Sequence, residues 1–138
     1  MLIGNTNLAS LVLRIGMGSY MALGHGAGKF QTLISGAEIH FPSLLGMPPV
    51  VGLALAVLAE FIACILIIIG YKTRYVAILP IIVMAYAAFI IHSSDPWFAK
   101  GAEGASKEMA MIYLIGFVAI YLLGSGKYSL DSRLNRIL

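Results

Sequence analysis

Charge is scarce in this sequence, and its scarcity argues against a soluble globular domain. Only 11% of the 138 residues are charged, whereas 60% are hydrophobic. A soluble domain carries about 25% charged and about 45–50% apolar residues. One soluble core of this size cannot hide so much apolar surface, because a small domain leaves much of its surface facing solvent. We therefore expect a bilayer to surround most of the chain.

Cysteine and basic clusters are also scarce. Cys64 is the single cysteine, which excludes an internal disulfide and a cysteine metal cluster. The net charge of +3 comes from scattered residues without a basic stripe or a recognition motif, so nucleic acid is not an expected partner. No Glu-x-x-His pair occurs, and we therefore expect neither a zinc nor a di-iron site.

Long apolar runs, in contrast, are abundant. Four of them predict membrane spans, at about residues 8–30, 50–70, 75–92 and 107–123. A spanning helix needs roughly 17–25 mostly apolar residues. Only helices or closed barrels satisfy the backbone inside a bilayer, and these runs lack the alternation of barrel strands. The sequence predicts an all-α fold in one domain, residues 1–138, built as a four-transmembrane-helix bundle.

The distribution of basic residues predicts an orientation. With four spans, both termini and the turn at residues 71–74 share one side of the membrane. That side carries Lys72, Arg74, Lys127, Arg133 and Arg136, with Arg14 nearby, and the other carries Lys29, Lys100 and Lys107. Because cytoplasmic segments are richer in Lys and Arg, we expect both termini to be cytoplasmic.

Five ionisable residues lie in or at the ends of the predicted spans. They are His25, Lys29, Glu60, His92 and Glu108. Because successive spans run in opposite directions, all five should lie in the outer half of the bundle, on different helices. A purely structural bundle does not require this coincidence, so the sequence predicts a functional site at the outer mouth.

Glu60 is the sharpest signal in this group. It lies about ten residues into its span, roughly 15 Å deep, where a charge costs at least ~2.5–3.5 kcal/mol. The small residues Gly52, Ala56 and Cys64 on its face point it toward the bundle interior. Glu60 could be a proton acceptor, a cation site or a hydrogen-bond partner of a quinone. Alternatively, it could pair with Lys29 and fix the helix register.

The two span-end histidines, His25 and His92, leave three interpretations open. They could transfer protons at a quinone site, since histidine titrates near neutral pH. They could ligate a haem iron between the first and third spans. Each could also be an interfacial histidine that bonds to a backbone carbonyl.

Short motifs along the whole chain carry a family resemblance. In chain order they are Leu13-Arg14-Ile15-Gly16, His25-Gly26-x-x-Lys29, Gly46-Met47-Pro48, Glu60, Gly70-Tyr71-Lys72-Thr73-Arg74, His92 and Gly124-x-Gly126-Lys127-Tyr128-Ser129-Leu130-Asp131. This ordered series resembles the DoxX family of small bacterial and archaeal membrane proteins. The resemblance implies a four-helix fold in the cytoplasmic (inner) membrane.

The resemblance also implies membrane-associated redox chemistry. Some relatives are subunits of a thiosulfate:quinone oxidoreductase, and others work with redox-defence proteins or in quinone and catechol metabolism. We therefore expect a quinone-interacting subunit that works with other protein subunits, with His25, Lys29 and Glu60 as catalytic candidates and His25, His92 and Glu108 as cofactor-binding candidates. The alternatives are a non-catalytic anchor or assembly subunit, a haem-b carrier and a small-solute transporter.

Overall fold

A computed structural model describes residues 2–36, 38–42, 46–100 and 105–135, with side chains from residue 5 onward. Helix α1 consists of Leu2–Met21, a π-helical turn at Ala22–Gly26, and Ala27–Ile34. Helix α2 covers Pro49–Ile69 with a π-helical turn at Leu58–Ile62, and α3 covers Thr73–Ile91 with one at Ala87–Ile91. Helices α4 and α5 follow at Glu108–Leu123 and Leu130–Leu134. The described residues contain no strand, which confirms the predicted all-α class.

Two of these helices, α2 and α3, are long and apolar enough to cross a membrane. They lie over the predicted spans at 50–70 and 75–92. Helix α4 is apolar but has only 16 residues, and α1 carries Arg14 and Lys29 within its length. The membrane character of the chain is thus supported, while the count of four spans stays a prediction.

The α2–α3 connection shows how the sequence sets the ends of both helices. Gly70 has a φ of 75° and donates its N–H to the carbonyls of Leu66 and Ile67. Glycine adopts this left-handed conformation without the steric cost that a Cβ brings, so it is a common helix terminator. Lys72, with a φ of 45°, completes the reversal before α3 begins at Thr73.

The four longer helices surround one apolar core. Helix α1 packs against α2 and α4, and α3 also packs against α2 and α4. The buried core includes Met21 from α1, Ile67 from α2, Met84 from α3 and Phe117 from α4. Many large apolar side chains face outward instead. Val12, Ile82, Ile90, Ile115 and Leu122 are each more than half exposed, as expected of helices that face lipid.

Arg14 ties one end of this core together. Its guanidinium is fully buried and donates hydrogen bonds to the carbonyls of Ile67 (3.4 Å), Ile68 (3.3 Å) and Tyr128 (2.6 Å). The first two acceptors belong to the last turn of α2, where carbonyls lack helical partners and carry partial negative charge. Arg14 therefore links α1 to α2 and to the segment before α5 through hydrogen bonds. It is also one of the basic residues from which the orientation was predicted.

Candidate functional site

A partly open cleft of about 640 Å³ lies at the opposite end of the molecule from Arg14, and we call it the polar cleft. All five ionisable residues singled out by the sequence line it. They are His25, Lys29, Glu60, His92 and Glu108. Tyr113 and the apolar residues Met21 and Met84 complete much of its wall. Side chains from all four longer helices therefore meet around one volume, as the alternating helix directions predict.

The π-helical turns coincide with these residues. The turn in α1 contains His25, the turn in α2 contains Glu60, and the turn in α3 ends directly before His92. Turns of this kind insert an extra residue into a helix, shift the register of the following side chains, and are frequent at functional sites. The sequence analysis did not anticipate them, because an apolar run shows no interruption where a π turn forms.

Gly26 lets the first two π turns approach each other closely. A Cβ at this position would lie 2.6 Å from the carbonyl oxygen of Glu60 and 2.9 Å from the Cα of Phe61. Real Cβ atoms do not approach backbone atoms this closely, so only glycine fits here. The phenyl rings of Phe30 and Phe61 stack beside this crossing at 5.0 Å. The close crossing brings Lys29 within reach of the Glu60 side chain.

Lys29 and Glu60 form an ion pair between α1 and α2. The Lys29 ammonium donates a hydrogen bond to the Oε2 of Glu60. The two partners differ in exposure, since the side chain of Glu60 is 4% exposed and that of Lys29 is 30% exposed. A buried carboxylate is stabilised by such a partner, and the accessible ammonium keeps further N–H donors for a ligand. The pair that the sequence analysis left open as an alternative role of Glu60 is thus present, on the wall of the polar cleft.

His25 lies against an aromatic residue that sequence reasoning missed. Its imidazole meets the ring of Tyr113 edge to face, with centroids 5.5 Å apart and planes at 85°. Tyr113 is buried and stacks on Phe117 on its other side. No tyrosine was among the site residues predicted from the sequence. A signal for Tyr113 was available, because it falls in the middle of the fourth predicted span and not at its end.

His92 and Glu108 line the polar cleft and are also bonded to the loop beside it. The Nδ1 of His92 lies 2.7 Å from the Oδ2 of Asp95, and the Oε2 of Glu108 accepts the N–H of Ala99 at 2.9 Å. Ala99 itself lines the cleft. These two residues therefore hold the segment of residues 93–100, which we call the mouth loop, in addition to facing the cleft.

Lys107 fastens the same loop from the start of α4. Its ammonium donates to the carbonyl of Ser93 at 2.8 Å and lies 5.1 Å from the centroid of the Trp97 ring. Its backbone N–H donates to the carbonyl of Pro96 at 3.0 Å. From the sequence, Lys107 was only one of the charges on the outer side. The structure shows that it binds the first half of the mouth loop, at Ser93, Pro96 and Trp97.

Two comparisons with known proteins bear on this arrangement. The family model described as DoxX matches residues 9–93, a range that contains His25, Lys29, Glu60 and His92 and ends before Glu108. An uncharacterized protein of Haemophilus influenzae is 32% identical over 121 residues, which cover 83% of this chain and 83% of the relative. No solved structure matches the chain. The family match extends over more than half of the sequence and includes seven of the fifteen residues that line the polar cleft. This chain therefore belongs to the DoxX family, whose members are membrane proteins.

Proposed function

We propose that the protein is the membrane subunit of a redox system and that its polar cleft binds a quinone. The observation that carries the proposal is the convergence of His25, Lys29, Glu60 and Tyr113 on one partly open cleft among apolar walls. Small-molecule sites are typically clefts of about 300–1,000 Å³, mostly apolar, with a few polar groups that fix orientation. The polar cleft has this size and this lining.

The donors of the cleft suit a ligand with carbonyl oxygens on an apolar ring. A quinone accepts two electrons and two protons, and its carbonyl oxygens accept hydrogen bonds. Lys29 supplies ammonium donors, and the imidazole of His25 and the phenol of Tyr113 each supply one more. The wall from Met21 and Met84 offers the polarizable apolar contact that a ring requires.

The same residues can deliver or remove the protons of that chemistry. His25 is exposed, so its imidazole can pass a proton between water at the mouth and a bound ligand. Glu60 is buried beside Lys29 and accepts a hydrogen bond from its ammonium. In this account Lys29 and His25 bind the ligand, and Glu60 holds the Lys29 ammonium in place.

The full arrangement that we propose is a bundle of four spans with both termini in the cytoplasm. Lys72, Arg74, Lys127 and Arg133 are then on the cytoplasmic side, and the polar cleft opens at the outer side of a bacterial or archaeal inner membrane. The short loops of the chain hold no soluble catalytic domain, so an electron donor such as a second subunit would dock at the outer mouth.

Specific observations favour two of the alternatives. The Lys29–Glu60 pair joins α1 to α2, which is what an anchor or assembly subunit needs to hold its helix register. The contact between His92 and Asp95 resembles the carboxylate bond that orients a metal-ligating histidine, which favours haem b between His25 and His92. A small-solute transporter has no such observation in its support.

The test is an organic extract and a visible spectrum of the detergent-purified protein, with two variants. Glu60→Gln removes the buried charge, and Glu38→Gln is the matched control, since the Glu38 carboxylate is 84% exposed on a loop. Quinone should be extracted from the wild type and the control, and its amount should fall at least tenfold in Glu60→Gln, because a hydrogen bond to a charged group contributes about 1.5–3 kcal/mol.

The other outcomes separate the alternatives. Equal quinone in all three proteins removes Glu60 from the site and contradicts the proposal. A Soret band that disappears in His25→Ala and His92→Ala assigns those residues to haem. If neither quinone nor haem is found, the anchor-subunit alternative is favoured. Glu60→Gln should then lower the melting temperature without changing any bound cofactor.

A further inference from the structure

We infer that the end of the molecule opposite the polar cleft binds the phosphate of an anionic phospholipid. We call this the basic end and define it by Lys72, Arg74, Lys127 and Arg133. All four side chains are exposed. Among the described residues, no carboxylate lies within 4.0 Å of any of these four cations. Four positive charges thus remain without a negative partner in the described part of the protein.

The acid nearest to them is already engaged. The Asp131 carboxylate accepts the backbone N–H of Lys72 at 2.8 Å and that of Thr73 at 3.3 Å. Its own N–H donates to the carbonyl of Gly70. Asp131 therefore joins the α2–α3 turn to α5 through backbone groups, and its negative charge is directed at N–H donors and not at the lysine and arginine side chains.

Two open clefts flank α5 at this end. One, of about 670 Å³, is lined by Lys127 and Arg133 together with Ser129 and Ser132. The other, of about 420 Å³, is lined by Lys72 and Arg74 but also by the Asp131 carboxylate. The Ser129 hydroxyl already donates to the carbonyl of Gly126 at 2.7 Å. The larger cleft thus offers two cations and the Ser132 hydroxyl without a lining carboxylate, which is a donor set that a phosphate group binds.

The apolar part of the lining indicates a lipid instead of a free anion. Ile69 and Leu130 line the larger cleft and are 47% and 36% exposed. Leu134, one helical turn after Leu130 and 40% exposed, continues the same face of α5. A short amphipathic helix with leucines on one face and arginine beside them lies in the interface of an anionic membrane. Acyl chains can therefore follow Ile69 and Leu130 while the phosphate meets Lys127 and Arg133.

The inference is independent of quinone binding and has its own test. Detergent-purified protein is titrated with phosphatidylglycerol or phosphatidylcholine of the same acyl chains, and bound lipid is counted by native mass spectrometry. We expect retention of phosphatidylglycerol over phosphatidylcholine. The double variant Lys127→Gln/Arg133→Gln should bind phosphatidylglycerol roughly thirtyfold more weakly, from about fivefold for each cation near an anionic lipid. Lys100→Gln, an exposed lysine at the other end, is the control.

Several results would overturn it. Equal retention of the two lipids, or a loss in Lys100→Gln as large as in a Lys127→Gln single variant, would mean that the basic end has no preference for the phosphate. Displacement of the lipid by inorganic phosphate at comparable concentration would assign the clefts to a free anion. If the double variant does not fold, the single variants Lys127→Gln and Arg133→Gln serve, each with an expected loss of about fivefold.

Discussion

Gly26 determines how Lys29 and Glu60, the ion pair of the polar cleft, approach each other. Its lack of a side chain allows the backbone of α1 to lie against the carbonyl of Glu60, and Lys29 follows three residues later on the same helix. In the sequence Gly26 stood out only as part of the His25-Gly26-x-x-Lys29 motif. Its specific role depends on the π-helical turns on both sides of the contact, which an apolar sequence pattern does not reveal.

Replacing Gly26 with alanine tests this contact. The added Cβ would lie 2.6 Å from the Glu60 oxygen, and overpacking of this kind costs about 1–3 kcal/mol. We expect a lower melting temperature in detergent and weaker ligand retention in the polar cleft. Gly28→Ala is the matched control, since nothing lies within 4 Å of a Cβ there and alanine favours a helix by about 1 kcal/mol over glycine. Equal melting temperatures for the two variants would contradict the proposed close crossing.

Tyr113 and Arg14 make contacts that could not be predicted from the sequence. The sequence predicted no site role for Tyr113 and treated Arg14 as one of the charges that indicate orientation. Their actual contacts, with the His25 ring and with the last carbonyls of α2, depend on the rotation of each helix about its axis. The apolar runs of this chain are hydrophobic on nearly all sides, so the sequence could not predict that rotation.

The mouth loop borders the polar cleft through Ala99. Three side chains fasten it, namely His92 through Asp95, Glu108 through Ala99, and Lys107 through Ser93. The sequence predicted His92 and Glu108 near the site but not their bonds to the loop, because the loop conformation is set by these contacts themselves. His92 and Glu108, two of the predicted cofactor-binding residues, therefore also position the mouth loop.

Removing the Glu108 carboxylate tests this fastening. In Glu108→Ala the N–H of Ala99 loses its acceptor. The loss of one exposed hydrogen bond, worth about 0.5–1.5 kcal/mol, should speed exchange of that amide roughly two- to tenfold. Hydrogen–deuterium exchange of the peptide that contains residues 93–100 provides the measurement, with Glu38→Ala as the control. Unchanged exchange in Glu108→Ala would show that the carboxylate does not hold the loop.

At the scale of the whole molecule, composition predicted the fold class, and the alternating helix directions predicted where the five ionisable residues lie. The apolar runs indicated an all-helical membrane protein, and the all-helical class is confirmed. Alternating helix directions placed five ionisable residues near one end, and the structure places all five around one cleft. Their chemical roles stay predictions, because the same groups can bind a quinone, hold a haem or lock a helix register.

The proposed orientation makes a separate prediction. Basic residues are more numerous at the end that carries both termini, and such segments stay in the cytoplasm. A reporter that is active only in the cytoplasm, fused after Leu138, should therefore be active, and one that is active only outside should be silent there and active when inserted at residues 38–42. The reverse pattern would invert the orientation, and activity of the outer reporter at both sites would exclude an odd number of spans between them, including the proposed three.

Photolabelling with a reactive quinone analogue tests the central claim most directly, because it reports the ligand and its position together. The detergent-purified protein is illuminated with the analogue, digested, and mapped by mass spectrometry. We predict labels on the peptides that contain residues 21–29 and 108–113, which line the polar cleft, together with competition by an unlabelled quinone and loss in Glu60→Gln. Labels confined to outward-facing positions such as Ile82 and Leu122, without competition, would contradict a quinone site in the cleft.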